Sequence, residues 1–206
     1  HRLTGNGGTA GYVCAGQDIR ILRADLTDAA GTRSLEAGGT AVTADASGAW
    51  RLDVYVLRKT YSGTENPGDF TTLRHVDLLN PEAVARFITL THERYRDRMG
   101  DAFRNVDAFF TDEPQYYRWD NPYSNTLPAE FKKAYGYEIY PLLPAVFYDF
   151  EGAGKFRYDY YKLMHELFIN NFVKKIYDWC SAHGMQLTGH AIEESSLEGQ
   201  MMCCGG

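Results

Sequence analysis

Apolar and polar positions change period several times along the chain, and each change marks an element. Residues 1–16 carry Gly5, Gly7, Gly8, Gly11 and Gly16 with no sustained period and read as loop. Asp18-Ile-Arg-Ile-Leu-Arg23 alternates every second residue, as a strand with one buried face does. Asp25-Leu-Thr-Asp28 reads as a turn. Residues 32–48 hold short Thr, Val and Ala stretches broken by Gly38, Gly39 and Gly48, a small β excursion. Trp50-Arg-Leu-Asp-Val-Tyr-Val-Leu57 is β-branched and aromatic, a second strand.

The period then lengthens. Asn80 as cap, Pro81 at the first helical position and Glu82 in the first turn start a helix. Val84, Phe87, Ile88, Thr91 and Tyr95 continue it at helical spacing until Gly100. Val106-Asp-Ala-Phe-Phe-Thr-Asp-Glu-Pro114 is an apolar strand that ends in two adjacent carboxylates. Pro114 stops it, because proline has no N–H for the ladder. A polar, aromatic loop follows, then a short helix from Pro128 to Tyr135 closed by Gly136. Lys155 to about His183 is a long helix ended by Gly184, and Met185-Gln-Leu-Thr-Gly189 is a last strand.

Strands alternating with helices predict an α/β protein with a parallel sheet and helical crossovers. The expected architecture is a partial (β/α)8 barrel in one domain over residues 1–206. Residues 17–50 form a β-rich excursion near the N-terminus, and residues 115–150 form a loop-and-helix lid over the site. A full barrel takes about 250 residues. The three or four strands visible here therefore predict an incomplete barrel, whose partner is the rest of the barrel or further domains.

Composition narrows the function. The chain is 44% hydrophobic and 23% charged, with a net charge of -6, which disfavours nucleic acid or an anionic membrane as partner. No apolar run is long enough for a membrane span, and no signal peptide opens the sequence. Aromatics are 14% of residues, with 15 Tyr, which suits a neutral polar ligand such as a sugar. Cys14, Cys180, Cys203 and Cys204 form neither a zinc pattern nor a disulfide framework.

Chemistry gathers at strand ends. Asp112 and Glu113 end one strand; His190, Glu193 and Glu194 follow another; His75 and Asp77 precede the first clear helix. If the two strands are parallel neighbours, their clusters open on one face. Glycoside hydrolysis needs two carboxylates, one giving a proton and one acting as nucleophile or as base for water. Tyr117 and Trp119 in the loop can serve as a sugar platform. Each residue also has a structural reading: Asp112 as a loop cap, Glu193 and Glu194 as the acidic start of a helix, His190 as a satisfied structural histidine. Asp112, Glu113, His190 and Glu193 are also types that ligate a divalent ion. No HExxH or HxH spacing supports zinc, and no GxSxG supports a serine nucleophile. No motif calls for a cofactor; a divalent cation such as calcium is the alternative left open by residue type.

Several stretches together resemble a known group. Val76-Asp-Leu-Leu-Asn-Pro-Glu-Ala-Val84, Phe87-Ile, Thr91-His-Glu-Arg-Tyr95, Phe110-Thr-Asp-Glu-Pro114, Phe131 to Tyr137 and Leu187-Thr-Gly-His190 are similar to bacterial barrel glycoside hydrolases of a family-2-like kind. They also resemble the α-L-rhamnosidases of glycoside hydrolase family 106, over roughly residues 50 to 200. The resemblance implies a (β/α)8 barrel, a site at the C-terminal strand ends and a plant or microbial oligosaccharide or polysaccharide as substrate. It makes Glu113 the catalytic acid and Glu194 the second catalytic carboxylate, unless that carboxylate lies beyond residue 206. The resemblance also makes His190 a site residue with Glu193 adjacent, and together with Asp112, Tyr117 and Trp119, read from their positions at the strand end and in the loop, these are the expected substrate-binding residues. In the broad retaining superfamily the acid often reads Asn-Glu-Pro; here Asp112 takes the Asn place. The resemblance also favours a periplasmic or secreted location. Three rival readings stand beside the glycosidase: a non-catalytic carbohydrate-binding barrel, a metal-dependent hydrolase, and a structural remnant with no function of its own.

Overall fold

The computed structural model describes residues 1–16, 18–58, 76–114, 116, 121–191 and 195–198. Contacts divide the chain into two compact units, residues 1–75 with 138–150, and residues 76–137 with 151–206.

The first unit is antiparallel β structure. Its strands are β1 (Arg2–Asn6), β2 (Thr9–Val13), β3 (Asp18–Asp28), β4 (Gly31–Leu35), β5 (Ala41–Asp45) and β6 (Ala49–Arg58). One sheet has the order β1-β6-β3-β4, and β2 pairs with β5 in a second. Ala10, Ile21, Ala24, Leu26, Val42, Leu52 and Val54 form one core between them.

Three expectations change here. Residues 1–16, read as loop, supply β1 and β2. Their glycines make room for neighbours: a Cβ on Gly5 would collide with the Trp50 indole, whose Nε1–H donates to the Gly7 carbonyl at 3.1 Å. Asp25 to Asp28, read as a turn, is the end of β3. Asp25 is accommodated by Arg23 at 2.7 Å and by the Ser34 hydroxyl at 2.7 Å, and the turn falls after Asp28. Finally, β6 pairs only antiparallel, so it is not a member of the parallel sheet.

The second unit carries the α/β alternation. Asn80 caps α1 (Pro81–Ile88), its Oδ1 accepting from the Glu82 and Ala83 N–H groups at 3.0 and 3.4 Å. A π-helical turn at Thr89–Glu93 leads into α2 (Arg94–Met99). A 3₁₀ turn at Gly100–Asn105 then leads to β7 (Ala108–Asp112). Next come α3 (Leu127–Tyr135), ended by Gly136 at φ 78, then α4 (Ala153–Phe168), a second π-helical turn at Ile169–Val173 and α5 (Lys174–Ala182). The last strand is β8 (Gln186–His190), parallel to β7 and facing it in the register Asp112 to His190.

Spacing explains the second π turn. Buried positions recur every four residues from Phe156 through Tyr160, Met164, Phe168, Phe172 and Ile176 to Cys180. At 3.6 residues per turn such positions drift about 40° each step. One turn with an extra residue takes back about 100° of that drift, most of what accumulates from Phe168 onward, and so keeps Ile176 and Cys180 near the face of Phe168.

The α5 end of that face packs one side of the parallel pair. Phe109 meets the His92, Trp179 and Phe103 rings at centroid distances of 4.5, 5.6 and 6.4 Å. Because strand side chains alternate, Ala108, Phe110 and Asp112 share the opposite face with Gln186, Thr188 and His190. Phe110 on that face is 59% exposed. Among the described residues no helix is long and apolar enough to cross a membrane.

Candidate active site

The N-terminus of α1, the residues after β7 and the residues after β8 all lie at the C-terminal end of the parallel strands. This follows from connectivity, since each helix runs antiparallel to the strand it feeds. Asp112 and His190 are register partners there, and their side chains meet, Nε2 to Oδ1 at 3.1 Å. The side chains are 78% and 39% exposed, so the pair is open to solvent and to ligand. The edge of the Phe110 ring lies against His190 at 5.8 Å.

Glu113 continues the ladder by one bond, its N–H donating to the His190 carbonyl at 3.2 Å. Its φ is 48°, the one positive value at a described non-glycine residue. This left-handed conformation costs an ordinary residue about 1–2 kcal/mol. It also breaks the strand's alternation, which would otherwise send Glu113 to the face opposite Asp112. Strain of this kind gathers where a side chain must be aimed.

Gly189 makes the pairing possible. Its φ is 148°, and a Cβ there would overlap the Thr111 carbonyl oxygen and lie 2.6 Å from Thr111 Oγ1. Behind the strands the wall is sealed. Burial pushes the Cys180 thiol up and holds His92 below the usual imidazole range. Thr91 donates its one hydroxyl proton to the Phe87 carbonyl at 2.7 Å, so His92 Nδ1–H is the donor to Thr91 Oγ1 at 2.8 Å.

A sequence model of the α-L-rhamnosidases of glycoside hydrolase family 106 matches residues 15–204. The chain belongs to that family. Among solved structures, a rhamnosidase from Novosphingobium sp. PP1Y shares its fold, with a TM-score of 0.54 and 20% identity over 84% of this chain. The chain spans 17% of the length of that rhamnosidase. No curated protein matches the sequence.

For this family-106 chain, the structure brings together Asp112, Glu113 and His190 among the residues singled out in the sequence. Glu193, Glu194, Tyr117, Trp119 and His75 lie outside the described residues. Among the described residues no three His, Cys, Asp or Glu side chains gather as metal ligands. Two features of the site were missed in the sequence. One is the close approach at Gly189, for which a glycine inside a strand pattern is the available signal. The other is a bond from Ser124 to Asp77 at 2.6 Å, which has no local signal because 47 residues separate the partners.

Proposed function

We propose that the intact protein is a glycosidase acting on α-L-rhamnosidic bonds, with Glu113 as its general acid, in a (β/α)8 barrel that includes β7 and β8. The observation that carries this reading is Glu113 itself. It is a carboxylate held at φ 48° at the C-terminal end of a strand in a parallel pair, beside the Asp112–His190 contact. Membership of family 106 and the fold shared with a rhamnosidase support the substrate class and the barrel.

In this reading the Glu113 carboxylic acid gives its proton to the glycosidic oxygen as the C–O bond breaks. Glu194, or a carboxylate outside this chain, activates water or attacks the anomeric carbon. The Asp112 oxygens accept from sugar hydroxyls, and His190 fixes the Asp112 carboxylate. Glu193, Tyr117 and Trp119 contribute further sugar contacts. The separation of the two carboxylates, about 5–5.5 Å or about 6.5–9.5 Å, selects retention or inversion.

Leaving-group dependence tests the acid. In the intact protein, Glu113→Gln should cleave a sugar–sugar rhamnoside about 10²–10⁴-fold more slowly than wild type. A rhamnoside with a strongly acidic phenol as leaving group needs little protonation and should lose far less. Equal losses on both substrates, or no loss on either, would overturn the assignment.

A further inference from the structure

One carboxylate at the strand-end face is committed to a bond between two loops. Asp77 lies in the segment that enters α1. Its Oδ1 accepts from the Leu79 N–H at 3.1 Å, and its Oδ2 accepts from the Ser124 hydroxyl at 2.6 Å. Ser124 belongs to the loop that leaves Glu113, and it is 1% exposed. Its Oγ also sits 3.0 Å from Thr126 Oγ1 and 3.4 Å from the Thr126 N. With the Ser124 proton given to Asp77, both of those contacts are donated by Thr126.

The surroundings hold each partner in turn. The Tyr160 hydroxyl donates to the Pro122 carbonyl, and the Tyr161 hydroxyl to Asn121 Oδ1 at 3.1 Å. Asn171 Nδ2, from the π turn after α4, donates to the Leu79 carbonyl at 2.8 Å. The segment 121–126 is thus tied to α4 on one side and to the entry of α1 on the other. An apolar pair could fill the Ser124 position with no desolvation cost. A buried hydroxyl aimed at a carboxylate instead fixes one register between the two segments.

We propose that Asp77 is a positioning residue of the glycosidase site. Its carboxylate clamps the loop leaving the Glu113 strand, through Ser124, to the segment that begins α1, and so holds residues 121–126 in a substrate-ready arrangement. The catalytic part of this statement rests on the proposed glycosidase reading; the clamp itself does not.

The test uses the intact protein with Asp77→Ala, Asp77→Asn and Ser124→Ala. Backbone hydrogen exchange of residues 121–126 reads the clamp directly. Asp77→Ala and Ser124→Ala should each speed it about tenfold or more, with exchange in α4 unchanged. On an aryl α-L-rhamnoside the same two variants should raise KM about tenfold while kcat stays within about threefold, because ordering of the loop is lost and the acid is not. Asp77→Asn should stay near wild type in both measurements. Its amide oxygen still accepts from the Leu79 N–H, and its amide N–H donates to Ser124 Oγ once the Ser124 hydroxyl turns its proton to Thr126 Oγ1.

Unchanged exchange in Asp77→Ala and Ser124→Ala overturns the clamp. So does an Asp77→Asn variant as impaired as Asp77→Ala, which would mean that the charge acts directly. A fall in kcat at constant KM overturns the positioning role. A wild-type protein that cleaves no rhamnoside overturns the glycosidase reading and with it that role, and the exchange rates still decide the clamp.

Discussion

The Glu113 N–H bonds to the His190 carbonyl at 3.2 Å while the Glu113 backbone sits at φ 48°. The ladder therefore runs one residue past β7 into a conformation that glutamate disfavours. In an ordinary strand, glutamate to glycine costs about 0.5–1 kcal/mol in chain entropy. Here relief of the left-handed strain, about 1–2 kcal/mol, offsets that loss. Glu113→Gly should leave the denaturation midpoint unchanged or raise it, and should abolish rhamnoside cleavage. A midpoint lowered by the ordinary amount would argue against a strained Glu113.

Gly189 should tolerate nothing larger. Gly189→Ala would drive a methyl group into the Thr111 carbonyl and parts β8 from β7. Overpacking of this size costs about 1–3 kcal/mol. Chemical denaturation should show that loss, and amide exchange should quicken across residues 108–112. A variant as stable as wild type would contradict the observed spacing of the two strands.

The Asp112–His190 contact should behave as a functional pair rather than a stabilising one. Exposed ion pairs contribute about 0–1 kcal/mol. Asp112→Asn should accordingly shift stability by less than about 1 kcal/mol. Activity on rhamnosides should fall at least about tenfold, with the loss mainly in KM if Asp112 binds sugar hydroxyls. Full activity in this variant would remove Asp112 from the site.

His92 links stability to pH. Burial lowers its folded-state pKa below the ordinary imidazole value of about 6.5, so between the two values the unfolded chain binds a proton that the folded chain refuses. The stabilisation contributed by neutral His92 is complete above about pH 6.5 and declines as pH falls from there toward the lower folded pKa. A neutral replacement such as His92→Gln has no proton to refuse. Thermal melts between pH 7.5 and pH 5 should show a steeper acid loss for wild type than for the variant. Parallel curves would mean that His92 is not held neutral.

Much of the second unit was legible because its signals are local. Asn80-Pro-Glu82 announces α1 by cap chemistry, and Gly136 and Gly184 close helices where a left-handed residue is needed. The apolar run that begins at Val106 contains β7, and the strand expected over residues 185–189 is β8 shifted by one residue, so that His190 ends the strand rather than following it and pairs with Asp112. The first unit was less legible. Gly5 and Gly11 look like loop residues in sequence, but they sit in β1 and β2, where Trp50 and Thr43 occupy the space a side chain would need. Bulges in β3 shift its inward phase, so Ile21, Ala24 and Leu26 all reach the core without strict alternation. At the site, the residue types were visible, but the φ of Glu113 and the bond from Ser124 to Asp77 are set by contacts across the fold.

The π turn at Ile169–Val173 carries a consequence for how relatives of this chain are compared. Its extra residue is removable in principle: loss of one residue within that turn restores a plain α-helix and leaves Ile176, Cys180 and the start of β8 where they are. Loss of one residue elsewhere, such as Lys162, instead rotates everything downstream by about 100°. Length variation among homologues should therefore concentrate at this turn, and an alignment that places the gap elsewhere in the helix will mismatch the helix residues between that gap and the turn.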